Sequence, residues 1–197
     1  MLVFKNLTKS FDDKLLFRSL SYTFPETGLF LLVGGSGSGK TTLLRMTAGL
    51  DLNYGGCIEG GGCEAVSFAF QEHRLFPVLS ALANVSEVLR STGLSRSEAE
   101  ARSREALLDV GFPEGDLGTR PAALSGGMRQ RVSLARAIAA PRPILLLDEP
   151  EKELDERLRE RLYEVIRREA ESRLVLLVTH TPERLLPFAD DVISLDR

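Results

Sequence analysis

The stretch Leu29-Phe-Leu-Leu-Val33, followed by Gly34-Gly-Ser-Gly-Ser-Gly-Lys40-Thr41-Thr42, decides how this chain is read. A short apolar run bounded by glycine reads as a buried strand. The residues after it fit G-x-x-x-x-G-K-[ST], and a helical pattern then runs from Lys40 to Ala48 until Gly49 stops it. Glycines in that register let consecutive backbone N–H groups turn inward around phosphate oxygens. The helix start adds partial positive charge. Lys40 can bridge the outer phosphates as a point charge, and Thr41 supplies the hydroxyl that Mg²⁺ prefers as a hard oxygen ligand. A strand before the loop and a helix after it are the context this motif needs. Gly34, Gly35, Ser36, Gly37, Ser38, Gly39, Lys40, Thr41 and Thr42 are therefore read as a nucleoside triphosphate site.

Upstream of that loop, Leu2 to Lys5 and Ser21 to Phe24 read as short strands between Asn, Asp, Pro and Gly. Downstream, Asp51 to Gly62 holds five glycines and reads as turns between small strands, and Ala65 to Phe70 is a further strand candidate. From about Ser80 to Ala139 the signals turn helical. Ser95 and Glu98 form a capping box. Ala99, Ala106, Leu107 and Val110 stripe the helix that follows, with Gly111 as its stop. Another helix is expected from Ser125 to Ala139, ended by Pro141. Alternation then returns, with strands at Ile144 to Leu147, Leu174 to Val178 and Val192 to Leu195. Leu154, Leu158, Leu162 and Val165 stripe a charged helix between the first two, and Thr181-Pro182 opens a short one before the last. Strands alternating with helices at both ends imply an α/β fold on a parallel sheet, and the helical middle reads as an insertion.

Composition narrows the choices. A chain of 197 residues can bury roughly 70% of its unfolded surface without staples. With 43% hydrophobic and 27% charged residues it has the make-up of an ordinary globule rather than a disordered chain. A formal net charge of −3 shows no whole-chain basic bias toward nucleic acid. The apolar runs are too short to span a bilayer and Met1-Leu-Val-Phe-Lys5 has no signal-peptide core, so neither secretion nor membrane insertion is expected. Cys57 and Cys63 flank a glycine cluster. They are expected as reduced thiols, the usual state in the cytosol, and not as metal ligands, since no second Cys or His pair completes a tetrahedral set.

Two other segments carry chemistry. Leu145-Leu-Leu-Asp148-Glu149 puts two acids at the end of a buried strand, where neighbouring side chains face opposite ways. Asp148 is the natural partner of the Mg²⁺. Glu149 is left to take a proton from an attacking water, a role worth about 10²–10⁴ in rate. Leu124-Ser125-Gly126-Gly127-Met128-Arg129-Gln130-Arg131 stands before a helix, with Ser125 as N-cap and paired glycines that leave N–H groups open to an anion. One triphosphate does not need a second anion-binding helix start, unless that start serves a different nucleotide.

Taken together, the motifs resemble the nucleotide-binding subunits of ATP-binding cassette (ABC) transporters, along essentially the whole chain. Ser125, Gly126, Gly127 and Met128 look like the family signature, Gln71 like its Q-loop glutamine and Leu154-Asp155 like the end of its D-loop. His180 looks like the switch histidine and Phe11 like the aromatic that stacks on adenine. The resemblance implies a P-loop NTPase core with a mostly parallel sheet, a small antiparallel β part and an inserted helical sub-domain. Residues 1–71 and 140–197 would form the catalytic core, and about 72–139 the sub-domain carrying the signature. It also implies ATP and Mg²⁺ as ligands, with Thr41, Gln71 and Asp148 at the metal and Glu149, Gln71 and His180 at the reacting phosphate. Two copies, or this chain and a paired ABC subunit, would meet head to tail, each ATP lying between one cradle and the partner's signature.

Further partners are implied by the same resemblance: a transmembrane permease at the cytoplasmic face of the membrane and, through it, an extracytoplasmic solute-binding protein. The run Phe70-Gln-Glu-His-Arg-Leu-Phe-Pro77 with Asn84-Val85 is similar to subunits for nitrate, sulfonate, taurine or thiamine-precursor uptake. Import is the expected direction, and an exporter or cell-envelope machine is the alternative. The alternative from another class is a soluble ABC-type ATPase acting on DNA or ribosomes; such relatives carry long insertions or tandem cassettes, which are not expected in 197 residues, and a C-terminal regulatory domain is not expected either. The chain departs from the family pattern at Gly35, where proline is common, at Met128, where glutamine is usual, and at Glu151-Lys152-Glu153, where small residues precede Leu154-Asp155.

Overall fold

The computed structural model describes residues 1–11 and 14–196. Its backbone divides into two compact units: Met1–Phe68 with Arg142–Asp148 and Glu169–Arg197, and Ala69–Pro141 with Glu149–Arg168. We call the first the core unit and the second the helical unit.

The core unit is built on two sheets. Strands β1 (Leu2–Phe11), β2 (Lys14–Phe24) and β4 (Gly55–Glu59) form an antiparallel sheet in the order β2-β1-β4. Strands β3 (Gly28–Val33), β5 (Val66–Ala69), β6 (Ile144–Asp148), β7 (Leu174–Val178) and β8 (Asp191–Ser194) form the second sheet in the order β5-β6-β7-β3-β8. There β3 pairs in parallel with β7 and β8, and β6 with β7. Strands β6 and β7 are buried along their whole length, as the apolar runs Ile144–Leu147 and Leu174–Val178 demand, with Asp148 buried at the end of β6. Helix α1 (Lys40–Thr47) packs on β6 and β7. Phe4, Phe24, Phe30 and Tyr22 stack between the sheets, with Phe24 5.0 Å from Phe4 and 5.2 Å from Phe30 in edge-on geometry.

Strands β1 and β2 run several residues beyond the segments that their apolar residues mark. The cause is local. Asn6 and Ser19 sit at φ 51° and 53°, in left-handed backbone, and the pairing register shifts around them. Such bulges break the two-residue alternation by which a strand is recognised. Ser21 and Thr8 repair the ladder there, their hydroxyls accepting from the Asn6 and Ser19 amides at 2.8 and 3.0 Å.

The helical unit holds α2 (Ala81–Arg90), α3 (Arg96–Asp109), α4 (Gly126–Ala139) and most of α5 (Glu156–Ser172). The capping box at Ser95 and Glu98 forms as the sequence reads. Helix α3 ends with the Phe112 amide on the Leu107 carbonyl and the Gly111 amide on that of Leu108, both 2.9 Å, the paired bonds of a Schellman stop. Asp155 opens α5 by accepting the Leu158 amide at 2.9 Å. Pro182 opens only one turn of 3₁₀ helix, Pro182–Arg184, and a second follows at Leu186–Phe188. Cys57 and Cys63 are exposed free thiols. Among the described residues no helix is long and apolar enough to cross a membrane.

Candidate functional site

Strand β3 delivers the chain into the glycine loop and α1 carries it away. Gly39 makes the junction at φ 102°, which an L side chain rarely adopts, and a Cβ there would also come within 3.1 Å of Leu16 and 3.2 Å of Phe17. Lys40 follows at the first position of α1. Its side chain is buried, and Nζ donates back to the Gly34 and Gly35 carbonyls at 2.5 and 3.0 Å. The ammonium is thereby held inside the curl of its own loop. Ser38 Oγ is buried in the same loop without a hydrogen-bond partner among the described residues. A buried hydroxyl in that state favours an incoming acceptor such as a phosphate oxygen. The Gly35 amide is already engaged, donating to Asp196 Oδ1 at 2.7 Å. A cavity of about 270 Å³ lies along Gly35, Ser36, Gly37 and Ser38, walled by Lys14 to Leu16, Leu195 and Asp196. A larger one of about 810 Å³, among Asp109, Leu158, Arg161 and Arg168 of the helical unit, contains none of the anticipated catalytic, nucleotide, signature or metal residues.

The other anticipated core-unit residues stand at or just beyond strand ends or in the first turn of α1. Asp148 is the last residue of β6 and 1% exposed. Thr41 lies exposed in the first turn of α1, and Thr42 follows it. Thr41 and Asp148 are hard oxygen donors on elements that pack together, a donor set that suits Mg²⁺. His180 is exposed two residues after β7, next to the buried Thr179, whose hydroxyl accepts the Thr181 amide at 3.0 Å. Phe11 ends β1 with half its surface exposed.

The remaining candidates belong to the helical unit. Gln71 Nε2 donates to Glu149 Oε2 at 3.1 Å, and Lys152 Nζ lies 3.6 Å from the same oxygen. The structure thus brings together two residues that stand 78 positions apart. It also corrects the strand-face argument for the paired acids. Strand β6 stops at Asp148, and Glu149 turns out of the strand at φ 50°. The two carboxylates are separated by a left-handed turn, not by the alternation of a strand. The peptide between them is also where the core unit gives way to the helical unit.

Ser125 caps α4, its Oγ accepting the Met128 amide at 3.2 Å. Gly126, Gly127 and Met128 form the first turn. The backbone of Glu153 runs so close that a Cβ on Gly127 would sit 2.8 Å from its carbonyl oxygen, which is why only glycine fits. From the same helix Gln130 donates to the Pro150 carbonyl at 3.1 Å, and Arg136 donates to the His73 and Arg74 carbonyls at 3.1 and 2.9 Å. So α4 braces both the segment after Gln71 and the segment after Glu149. Sequence reasoning noted Lys152 and Glu153 only as departures from a family pattern and Asn84 only within a run similar to uptake subunits, and it passed over Asp196. Asn84 and Asp196 carry no sequence signal for their contacts.

The ABC transporter family model matches residues 17–152, more than half of the chain. This chain belongs to the ABC transporter family. Among curated ABC proteins it is 42% identical to the Fe(3+) ions import ATP-binding protein FbpC 1 of Rhizobium meliloti, over 98% of this chain and 58% of that one. It is 40% identical to the aliphatic sulfonates import ATP-binding protein SsuB of Corynebacterium glutamicum, over 98% of this chain and 79% of that one. The chain therefore spans about three-fifths of the length of the iron-import relatives it matches. Among solved structures, the dimeric bacterial ABC transporter cassette MJ0796 superposes with a TM-score of 0.87 at 27% identity, covering 100% of this chain and 94% of that one. The same cassette in a dimeric post-hydrolysis state bound to ADP and Pi superposes with a TM-score of 0.84 at 27% identity, covering 98% and 94%. The ABC cassette fold expected from the motifs is the one observed.

Proposed function

We propose that this chain is the ATP-binding subunit of an ABC importer, hydrolysing ATP to drive a membrane permease. The observation that carries this reading is the cradle itself. Lys40 is buried with its ammonium turned onto the loop carbonyls, and the Ser38 hydroxyl is left open for a phosphate oxygen. Phe11 takes the adenine, and Gly34, Gly35, Ser36, Gly37, Ser38, Gly39, Lys40, Thr41 and Thr42 surround the triphosphate. Thr41 and Asp148, with Gln71, would hold Mg²⁺, which supplies charge neutralisation at the phosphate oxygens. Glu149 accepts a proton from water as the water oxygen bonds to the γ-phosphorus and the bond to the β–γ bridging oxygen breaks, releasing ADP and phosphate. Gln71, bonded to Glu149 in the structure, aligns that base. His180 reports on the γ-phosphate.

In this reading two copies, or this chain and a paired ABC subunit, meet head to tail, and Ser125, Gly126, Gly127 and Met128 of one cover the ATP of the other. The dimeric cassettes of the same fold support this arrangement. ATP favours the closed pair and hydrolysis removes the preference, which is a population shift that a permease can use. Uptake is the direction supported by the relatives, both import proteins. Their cargoes, ferric ion and aliphatic sulfonates, are chemically unlike at nearly the same identity, so cargo choice is left to the permease and an extracytoplasmic solute-binding protein. The chain works at the cytoplasmic face of the membrane.

Three variants test the reading. Lys40→Ala should lose ATP binding, and normal affinity in it would contradict the cradle. Glu149→Gln should keep ATP yet hydrolyse it about 10²–10⁴ times more slowly; full turnover would remove Glu149 as the base. Ser125→Arg should block the ATP-driven dimer seen by sedimentation, and an unchanged shift would argue against the signature's covering the partner's ATP.

A further inference from the structure

Lysine 9 has a feature that the catalytic scheme does not use. Lys9 lies two residues before Phe11 in β1 and is only 2% exposed. Its ammonium is held from three sides. It lies 3.0 and 2.9 Å from the two carboxylate oxygens of Asp51, donates to the Asn53 carbonyl at 2.6 Å, and sits 4.6 Å from the centre of the Phe11 ring. Asp51 is itself anchored, because its Oδ1 also accepts the Asn53 amide at 3.0 Å. Asp51 follows closely on the end of α1, the helix whose other end bears the phosphate cradle.

We infer that Lys9 is the positioning residue for base recognition, setting the Phe11 ring as a fixed shelf and tying it through Asp51 to the helix that carries the phosphate loop. This rests on the reading of Phe11 as the residue that stacks on adenine. A ring with half its surface in water otherwise moves among rotamers, and an ordered ring spares that cost on binding. The cation attracts the π-electrons of the face it covers and is itself desolvated, the setting in which such contacts are strongest. The other face is thereby made a better partner for an electron-rich purine. Because the Asp51 bridge links β1 to the foot of α1, the spacing between base shelf and phosphate cradle is set before any nucleotide arrives.

The test compares a ligand with a base and one without. Equilibrium affinities for Mg–ATP and for Mg–tripolyphosphate are measured on the full chain and on Lys9→Met, Lys9→Arg, Asp51→Asn and Phe11→Ala. Lys9→Met should weaken ATP about 5- to 10-fold and leave tripolyphosphate within about twofold, and Lys9→Arg should recover part of the loss. Asp51→Asn, which keeps an acceptor and serves where Lys9→Met does not fold, should lower the ATP-to-tripolyphosphate ratio to a smaller extent. If both ligands weaken together, Lys9 is merely structural and the inference fails. If Phe11→Ala lowers the ratio while the Lys9 and Asp51 variants leave it unchanged, the shelf stands and the role of Lys9 is overturned. If Phe11→Ala also leaves the ratio unchanged, the stacking reading falls and takes this inference with it.

Discussion

Gly126 and Gly127 differ in what a methyl group would meet. At Gly126 a Cβ would lie 2.4 Å from Glu153 Oε2, the far end of a flexible and partly exposed side chain that can swing away. At Gly127 it would meet the Glu153 carbonyl, which moves only with the backbone. Both residues are helical, so alanine gains up to about 1 kcal/mol in propensity. Gly126→Ala should therefore change stability by less than about 1 kcal/mol, whereas Gly127→Ala should cost about 1–3 kcal/mol of overpacking. Urea midpoints of the two variants decide it, and the opposite order would mean that Glu153 does not crowd this turn. At this scale the glycine loop between β3 and α1 was legible because its apolar strand, its run of glycines and its helix follow one another directly in sequence. Lys9 was not, since a lysine in a strand reads as a solvent-facing residue until its partner 42 positions away is known. Gln71 and His180 carried meaning only through family resemblance, and the bond of Gln71 to Glu149 spans 78 positions.

At the scale of elements, Asn84 makes the point about loops. It lies fully buried in α2, where its Oδ1 accepts the Phe76 amide at 2.8 Å and its Nδ2 faces the carbonyls of Phe76, Leu79 and Ser80 at 3.0–3.2 Å. One side chain thus shapes the loop that leads into its own helix. Asn84→Leu should destabilise the protein by about 1–3 kcal/mol and speed hydrogen exchange at the Phe76 amide; unaltered protection of that amide would show that the loop is held by something else. The Ser95–Glu98 start of α3 and its Gly111 stop were readable because both devices act within one turn. The lengths of β1 and β2 were not, because left-handed Asn6 and Ser19 interrupt the pattern that reveals a strand.

For the molecule as a whole, two pairs in the core unit set opposite limits of pH. Burial alone would raise the Asp51 carboxyl. Hydrogen bonds from Lys9 and the Asn53 amide, with the charges of Lys9 and Arg45, outweigh it and hold the group below the usual carboxylate range. A depressed acid stabilises the fold above its unfolded value and loses that contribution as pH falls through the folded one. Tyr22 is the reverse. Burial, then its hydrogen bond to the Asp191 carboxylate, pushes the phenol up to about 12. Its contribution is whole below the unfolded value near 10 and drains away as pH rises toward 12. Stability should thus decline on the acid side in a manner blunted by Asp51→Asn, and between about pH 10 and 12 in a manner removed by Tyr22→Phe. Denaturation midpoints across pH would reveal either limb, and a Tyr22→Phe curve parallel to the parent above pH 10 would discount the phenol.

The α/β alternation and the helical middle were legible at this largest scale because buried strands and amphipathic helices differ in period. Where one unit yields to the other was not, because that division depends on contacts distant in sequence. Glu149, the residue at that junction, holds a left-handed conformation that costs a non-glycine residue about 1–2 kcal/mol. If Glu149 is the base, as proposed above, heat tolerance and turnover pull this position in opposite directions. A screen rewarding survival at high temperature alone would drift toward glycine there, and under the proposed role its hardiest survivors would be inert.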